Sequence, residues 1–284
     1  MIELSAGDWR AGLRPAIGGA IAALTLRGVN VLRTFPAASD RPLDASCFPL
    51  VPYCNRVAQA RFAFAGRAVE LTPNHPGEPH QLHGIGWHRP WQVRESSAAA
   101  ALLVHAHDGR SEWPWAYRAE QRLALDPAGC GVTLSVTNLS DHAMPAGLGL
   151  HPYFRRRADT RVRFAAGALI EVGDDLIPTG VRAAADSLAP WSQGTALPAE
   201  TVDHCHAEWS SVVRIEDGLG TILVTASHAP HLHVYAPADG SALCFEPVSH
   251  LPDALNQGAG ELALLEPGAS LTLAMRVEAT VAKA

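Results

Sequence analysis

Apolar and polar residues alternate over short segments along most of the chain, which is the pattern of half-buried β-strands. Between Gly131 and Asn138, for example, three aliphatic residues alternate with three hydroxyl residues. No run of helical period is longer than about three turns. We therefore predict an all-β chain. The other predicted strand segments are Ala20–Arg33, with two short runs around Gly28, Arg61–Leu71, with a turn at Gly66, Tyr117–Leu125, Val162–Ile170, Val212–Glu216, Thr221–Ser227, His231–Tyr235, Ala242–Glu246 and Ser270–Val281.

Turn signals separate these segments. Asp126-Pro127-Ala128-Gly129 predicts a hairpin, because Pro presets one turn dihedral and Gly supplies the positive one. The Ala-rich stretch Ser96–Ala101 has helical propensity but no clear cap, and it leads directly into an apolar run. Three segments read as long loops, which on a β scaffold are where sites tend to lie: Pro73–Pro90, Leu176–Pro198 and Glu246–Gly260.

Composition narrows the classes of protein and partner. Residues Met1–Ala284 contain no linker, and 48% hydrophobic with 18% charged residues favours one compact domain. A net charge of −6 argues against nucleic acid and anionic membranes and favours a small molecule. Met1–Arg10 is not a signal peptide and no run is long enough to span a membrane, so we expect a cytoplasmic protein. The five cysteines form no Cys-x-x-Cys pair, which argues against disulfides and structural zinc.

His151 is the first candidate for chemistry. It follows a predicted strand within Ala146–Phe154, after two glycines that leave space for a ligand and before Pro152, which fixes the backbone. Histidine is the commonest side chain for moving protons near neutral pH. Glu246 is the second candidate. The apolar residues Leu243-Cys244-Phe245 precede it, so we expect a raised proton affinity and a possible role as a base.

Three further segments hold polar residues that folding does not require. They are Asn55-Arg56 before an apolar hairpin, His80–Gly84, and Asp203–His206, which we assign to a loop before Trp209. Each has a structural alternative: a surface ion pair for Arg56, a loop hydrogen bond for His83, and a turn or helix cap for Asp203.

Taken in order, these segments resemble the aldose 1-epimerase (mutarotase) family. Asn55-Arg56 is similar to the family's Asn-Arg hairpin, and Leu82-His83-Gly84 to its Leu-His-Gly loop. His151-Pro152-Tyr153-Phe154 resembles its His-x-Tyr-Phe segment. Phe245-Glu246 followed by Pro252-Asp253-Ala254-Leu255-Asn256 resembles its terminal Glu and Pro-Asp-Ala-x-Asn segment.

The resemblance implies a large antiparallel β-sandwich of the galactose mutarotase-like type, with an open sugar cleft and no cofactor. It implies that Glu246 is the general base and His151 the general acid, with His83 as a second imidazole near the reacting centre. Arg56 and Asp203 would bind sugar hydroxyls. Two departures from the family pattern are Leu150, where Asn or Thr is common, and Arg61, where Gly is common.

In the implied reaction Glu246 removes the proton of the anomeric hydroxyl while His151 protonates the ring oxygen. The ring opens to an aldehyde, rotation about C1–C2 exposes the other face, and reclosure gives the opposite anomer. Asn55 is a further candidate for sugar binding, and Tyr235 and Trp87 for stacking on the sugar, whereas core packing is the better interpretation of Trp91.

Several alternatives stay open. A hexose-6-phosphate 1-epimerase needs a basic cluster, and Arg155-Arg156-Arg157 is the one cluster of the sequence that could supply it. A glycosidase could pair Asp203 with Glu246 but leaves His151 without a role. Zinc could bind paired histidines such as His204 and His206, but no third ligand is evident. A non-catalytic sugar-binding protein is the alternative outside the enzymes. The sequence does not specify the sugar or the oligomeric state.

Overall fold

A computed structural model describes residues 1–110, 112–258 and 262–282. Within them one α-helix is found, α1 (Ala254–Gln257), with short 3-10 turns at Pro42–Asp44, Ala58–Ala60, Gly86–His88 and Trp191–Gln193. In chain order the strands are β1 (Ile2–Ala6), β2 (Trp9–Arg14), β3 (Ala20–Leu26), β4 (Val29–Asn30), β5 (Pro49–Leu50), β6 (Arg56–Val57), β7 (Arg61–Phe64), β8 (Arg67–Glu70), β9 (Gln81–Leu82), β10 (Gln92–Ser96), β11 (Ala100–Asp108), β12 (Ala116–Asp126), β13 (Gly129–Asn138), β14 (Met144–Ala146), β15 (Gly149–Leu150), β16 (Arg161–Phe164), β17 (Ala168–Val172), β18 (Pro178–Ala184), β19 (Thr195–Ala196), β20 (Val202–Ala207), β21 (Val212–Asp217), β22 (Gly220–Ser227), β23 (His231–Ala236), β24 (Cys244–Val248), β25 (Ala263–Leu265) and β26 (Ser270–Val281).

Two large antiparallel sheets form the body of the molecule, as predicted. The first has nine strands in the order β10-β11-β12-β13-β26-β22-β21-β16-β19, and the second has seven in the order β18-β17-β20-β23-β24-β15-β5. Strands β1 to β4 form a further sheet, and β6-β9, β7-β8 and β14-β25 form two-stranded pairs. The all-β sandwich prediction is therefore confirmed.

The central strands β23 and β24 of the seven-stranded sheet are buried on both faces, and strand alternation divides their side chains between them. Leu232, Val234 and Phe245 belong to the main core, which also contains Val213 and Leu273 of the nine-stranded sheet. The intervening positions of the same strands point to the opposite face, where a second apolar cluster includes Cys205, Cys244 and Val248. This second face is the one that carries the candidate site.

The two predicted hairpins are confirmed. Asp126 pairs with Gly129 at the tight turn between β12 and β13, and Phe64 pairs with Arg67 at the turn between β7 and β8. The Ala-rich stretch Ser96–Ala101 is not helical, because it forms the turn of the β10–β11 hairpin. Here cross-strand pairing outweighs the helical propensity of alanine.

Val162–Ile170 was predicted as one strand, and that prediction is wrong. Val162 pairs with Ile215 in the nine-stranded sheet, whereas Ala168 pairs with Ala207 in the seven-stranded sheet. The chain crosses between the sheets at Gly167, where an added Cβ would lie 2.3 Å from Glu208 Oε2.

The assignment of Asp203–His206 to a loop is also wrong, because these residues lie within β20, which pairs with β17 and β23. Leu176–Pro198 is not a continuous loop either, since it contains β18 and β19. The predicted strand Ala242–Glu246 starts and ends two residues later, as β24. In Glu246–Gly260 the chain first completes β24 and then forms α1, and residues 259 and 260 lie outside the described residues.

No helix among the described residues has the length and apolar character needed to cross a membrane. All five cysteines are buried, and none forms a disulfide.

Candidate active site

A cleft of about 450 Å³ opens on the second face of the seven-stranded sheet. Its volume falls in the range of about 300–1,000 Å³ that is typical of small-molecule sites. Seven of the residues that the sequence proposed for the site line this cleft: Asn55, Arg56, His83, His151, Asp203, Tyr235 and Glu246. Strands β20, β23 and β24 carry three of them, and His151 follows β15 of the same sheet. The other three lie in or beside the pair β6–β9.

Glu246 and His151 meet directly in the cleft. His151 Nε2 lies 3.1 Å from Glu246 Oε1, and the side chains are only 7% and 2% exposed, respectively. Glu246 lies in the middle of β24, so its backbone is fixed by pairing with His233 of β23. His151 follows β15, and its backbone N–H donates to Phe48 O at 3.0 Å.

Aromatic contacts hold the His151 ring. Its centroid is 4.7 Å from that of Phe48 and 4.7 Å from that of Tyr153, with interplanar angles of 26° and 21°, and these two rings lie 6.3 Å from each other. Trp87 packs against Phe48, with 5.5 Å between the ring centroids. Arg33 packs on Tyr153, with Cζ 3.3 Å from the centroid of its ring. The imidazole therefore has little rotational freedom, which suits a group that must transfer a proton in a fixed direction.

The glycines before His151 do not leave space for a ligand, contrary to the expectation from the sequence. A Cβ on Gly147 would lie 2.0 Å from the His250 ring, and one on Gly149 would lie 2.7 Å from Cys54 Sγ. These glycines allow close packing of the protein itself, which holds the segment in place.

The backbone of Asn55 determines the tautomer of His83. The Asn55 N–H donates to His83 Nδ1 at 3.0 Å, and Asn55 O accepts the His83 N–H at 2.9 Å. Because Nδ1 accepts a hydrogen bond, the proton of the neutral ring resides on Nε2. The His83 ring meets that of His151 edge to face, with centroids 5.4 Å apart. His83 therefore offers the cleft a hydrogen-bond donor.

Two acids hold Arg56. It donates from Nε and Nη2 to Glu78 at 2.8 and 3.0 Å, and its Nη1 lies 3.9 Å from Asp203 Oδ2. The Pro-Asp-Ala-x-Asn segment supports the same hairpin, because the Asp253 N–H donates to Arg56 O at 3.0 Å and the Asp253 carboxylate accepts the Ala58 N–H at 2.9 Å. The guanidinium is thus fixed at the cleft wall.

His233 is a site residue that the sequence did not identify. Its Nε2 lies 2.6 Å from Asp203 Oδ1, and its ring faces the cleft beside Glu246. The sequence did contain a basis for predicting this position. His231–Tyr235 and Ala242–Glu246 were both predicted as strands, and pairing them as a hairpin brings His233 opposite Glu246. Tyr153 and Arg33 also line the cleft without having been proposed.

Burial shifts the acid–base pair in opposite directions. Burial raises the pKa of Glu246 to about 8, although the charges of His233 and Arg56 lower it. Burial lowers the pKa of His151 to about 3. At neutral pH the pair therefore holds one proton, on Glu246, which agrees with the raised proton affinity expected from the apolar residues before it.

The ligand atoms of His83, His151 and Glu246 lie within 4.8 Å of one another, and no other group of three or more possible metal ligands occurs among the described residues. Two histidines and a carboxylate are a zinc-type ligand set. The hydrogen bond from Asn55 opposes this use, since it leaves the Nε2 of neutral His83 protonated and unable to coordinate. The geometry fits proton transfer better than metal binding.

The structure also places the two tryptophans and the arginine cluster that the sequence analysis considered. Trp87 does not face a sugar, because it is 1% exposed and packs behind Phe48. Trp91 lies in the main core, as expected. The cluster Arg155-Arg156-Arg157 does not line the cleft: Arg155 forms a buried pair with Asp217 at 2.7 Å, and its two neighbours face elsewhere.

Comparison with known proteins identifies the family. The family model for aldose 1-epimerase matches residues 2–278. The chain belongs to the aldose 1-epimerase family. It is 36% identical over 249 residues to the uncharacterized protein YphB of Escherichia coli K12, covering 83% of this chain and 84% of YphB. It is 27% identical over 253 residues to the galactose mutarotase of Mus musculus, covering 75% and 72% of the two chains.

Solved structures of the family share the fold. A structure from Escherichia coli K12, provisionally described as an aldose 1-epimerase, matches with a TM-score of 0.91 and 31% identity over 99% of this chain and 98% of that one. A GalM/aldose epimerase homologue from C. elegans has a TM-score of 0.83 at 19% identity, covering 99% of each chain. The second similarity extends to the fold alone.

Proposed function

We propose that this protein is an aldose 1-epimerase that interconverts the α and β anomers of an aldose without a cofactor. The observation that carries the proposal is the contact of 3.1 Å between His151 Nε2 and Glu246 Oε1 within a sugar-sized cleft. Mutarotation needs one group that accepts a proton and another that donates one. A buried pair that shares a single proton supplies both.

The productive form of the pair is Glu246 as carboxylate and His151 as imidazolium. It differs from the resting form only by transfer of one proton across the direct contact. Glu246 then takes the proton of the anomeric hydroxyl and His151 donates to the ring oxygen, which opens the ring. After rotation about C1–C2 the transfers reverse. His83 donates from Nε2 to a sugar oxygen near the reacting centre.

The polar wall of the cleft binds the remaining hydroxyls. Asp203 accepts and Arg56 donates, and the contacts from Glu78 and His233 hold both in position before the sugar arrives. Asn55 presents its amide at the same wall, and Tyr235 offers an aromatic face that is partly exposed. Preorganised donors and acceptors lower the entropy cost of orienting the sugar.

The direct test is anomer exchange. A freshly dissolved pure anomer of glucose, galactose, arabinose or a hexose 6-phosphate is followed by polarimetry or NMR with and without the protein. We expect acceleration of at least one of these sugars over the spontaneous rate. A sugar-binding protein without activity would bind sugar and leave the rate unchanged, and a glycosidase would instead release an aglycone from a glycoside.

The pH dependence follows from the shared proton. The pair loses its proton near pH 8, the pKa to which burial raises Glu246. Above this pH we expect kcat/KM to fall by about tenfold per pH unit, and to be level between about pH 5 and 7, because the pair acts as one titrating unit. The measurement is kcat/KM from pH 5 to 10 after subtraction of spontaneous mutarotation. A rate that keeps rising above pH 8 contradicts the one-proton form.

A phosphorylated aldose is the second candidate substrate, and Arg33 favours it. Arg33 lines the cleft, is held by a hydrogen bond of 2.8 Å from its Nε to Ala45 O, and has no carboxylate within ion-pair distance among the described residues. Arg41 is an exposed residue of the lining and also has no carboxylate within ion-pair distance among the described residues. Asp44 is the acid of the same segment in the lining. Two arginines against one aspartate leave net positive charge for a phosphate.

We expect Arg33→Gln to lower kcat/KM for a hexose 6-phosphate at least tenfold more than for the unphosphorylated hexose, because a charge-assisted contact is lost. Both values are measured by anomer exchange. Arg67→Gln, on the exposed hairpin β7–β8, is the matched control and should not change the ratio. An unchanged ratio in the Arg33 variant, or no turnover of the phosphosugar, rules out this substrate.

A further inference from the structure

His233 lies at the centre of the cleft floor. On β23 it pairs with Cys205 of β20 on one side and with Glu246 of β24 on the other. Its side chain is 7% exposed. Nε2 lies 2.6 Å from Asp203 Oδ1, and Nδ1 lies 3.4 Å from the Asn55 amide nitrogen. The ring thus contacts the Asp203 carboxylate, while the His233 backbone is paired with that of Glu246.

Each oxygen of the Asp203 carboxylate has a nitrogen neighbour. His233 Nε2 lies 2.6 Å from Oδ1, and Arg56 Nη1 lies 3.9 Å from Oδ2. A carboxylate largely removed from water is stable in its charged form only with such partners. Without His233, Asp203 would keep the longer contact to Arg56 alone.

We propose that His233 is a positioning residue, an imidazolium that fixes the Asp203 carboxylate for sugar binding and places a positive charge beside Glu246 that favours the ionised base. This role rests on the proposed mutarotation and adds to it a residue that tunes the acid–base pair from the neighbouring strand.

The charged groups around His233 support this state. Burial opposes protonation, but the hydrogen bonds to Asp203 and Cys205 and the charges of Glu246 and Asp203 outweigh it and raise the pKa of His233 to about 10. Arg56, His83 and His151 also face this part of the cleft. Both histidines have a lowered pKa, and so His233 and Arg56 are the cationic groups of the floor at neutral pH.

The effect on Glu246 has a definite sign. The raised pKa of Glu246 comes from burial, and the charge of His233 is the first of the influences that lower it. Removal of that charge should therefore raise the pKa of Glu246 further. The pair would then lose its proton at higher pH, and the ionised base would be harder to form below that pH.

Two substitutions separate the charge from the hydrogen bond. His233→Gln keeps an amide N–H that can donate to Asp203 but removes the charge, whereas His233→Leu removes both. In the Gln variant we expect the alkaline limb of kcat/KM to move up by about one pH unit with KM within about twofold of the original. In the Leu variant we expect the same shift and a KM raised about tenfold, because Asp203 loses its donor.

His228→Asn is the control, since His228 is exposed and its positive φ of 57° is one that Asn tolerates. It should leave the pH profile and KM unchanged. A purely structural role of His233 would lower kcat or thermal stability in both variants without moving the alkaline limb, and that result overturns the proposal.

NMR provides a reading that needs no substrate. The ring nitrogens of His233 should show imidazolium shifts at pH 7, and the Glu246 carboxyl should titrate at higher pH in His233→Gln than in the original chain. A neutral His233 ring at pH 7 overturns the proposal, even if neither variant folds. If these titrations are as expected but no sugar is epimerised, the proposed function fails and the electrostatic role of His233 stands.

Discussion

Glu246→Gln is expected to lower the rate of anomer exchange by about 10³-fold, within the range of about 10²–10⁴ that a positioned general base contributes. The amide has the size of the carboxyl group and can still hydrogen-bond His151, but it cannot take the proton of an anomeric hydroxyl. The measurement is kcat/KM for the best aldose of the panel, by polarimetry at pH 7.

The same variant should be at least as stable as the original chain at pH 7. Burial raises the pKa of folded Glu246 to about 8, whereas in the unfolded chain the group has an ordinary pKa near 4.5. At a pH between these two pKa values, ionisation of the Glu246 carboxyl lowers the free energy of the unfolded state but not that of the folded state. The free energy of unfolding therefore falls as the pH rises through this window. The Gln side chain has no such ionisation and removes this loss.

The matched control is Glu200→Gln, on an exposed residue outside the cleft lining. It should change neither activity nor melting temperature. Near-normal exchange by Glu246→Gln would remove Glu246 from the mechanism. An inactive variant with a much lower melting temperature would instead point to damage to the fold.

Local sequence features predicted the elements on which the site is built. The alternation of β13, the Pro-Ala-Gly turn before it and the apolar residues preceding Glu246 each act over fewer than a dozen residues, and the structure agrees with them. The raised pKa of Glu246 could be predicted because burial is its largest cause, and burial can be inferred from neighbours in sequence.

Pairing between strands that are distant in the sequence determines the features that were not predicted correctly. Asp203 was assigned to a loop before Trp209, whereas pairing with Tyr235 of β23, about thirty residues away, places it in a strand. The same pairing creates the His233–Asp203 contact. Likewise, Gly167 separates two strands of different sheets, which alternation alone cannot distinguish from one strand.

Trp87 illustrates a different limit of sequence reasoning. An aromatic residue beside a Leu-His-Gly loop is as consistent with stacking on a sugar as with packing behind the wall of a cleft. The structure shows the second arrangement, because Trp87 packs against Phe48, which contacts His151. The choice depends on whether the ring reaches the cleft, and that is a property of tertiary packing.

His151→Asn and His151→Phe together test the second half of the acid–base pair, and both are expected to lose about 10²–10⁴-fold in anomer exchange. The Asn variant keeps a polar group beside Glu246 but loses the ring contacts with Phe48 and Tyr153. The Phe variant keeps a ring in contact with both but has no nitrogen to carry a proton. Loss of activity in both variants would point to the feature they share, which is the absence of the imidazole.

The melting temperatures of the two variants should also differ. The Phe side chain keeps the packing against both rings, so the melting temperature of that variant should stay close to that of the original chain. The Asn variant leaves a gap beside these rings and should be less stable. The Asn variant also leaves room for a small molecule. Added imidazole should therefore restore part of its activity and none of that of the Phe variant. Substantial exchange by the Phe variant would contradict proton donation by His151, because the ring that remains can stack but cannot donate.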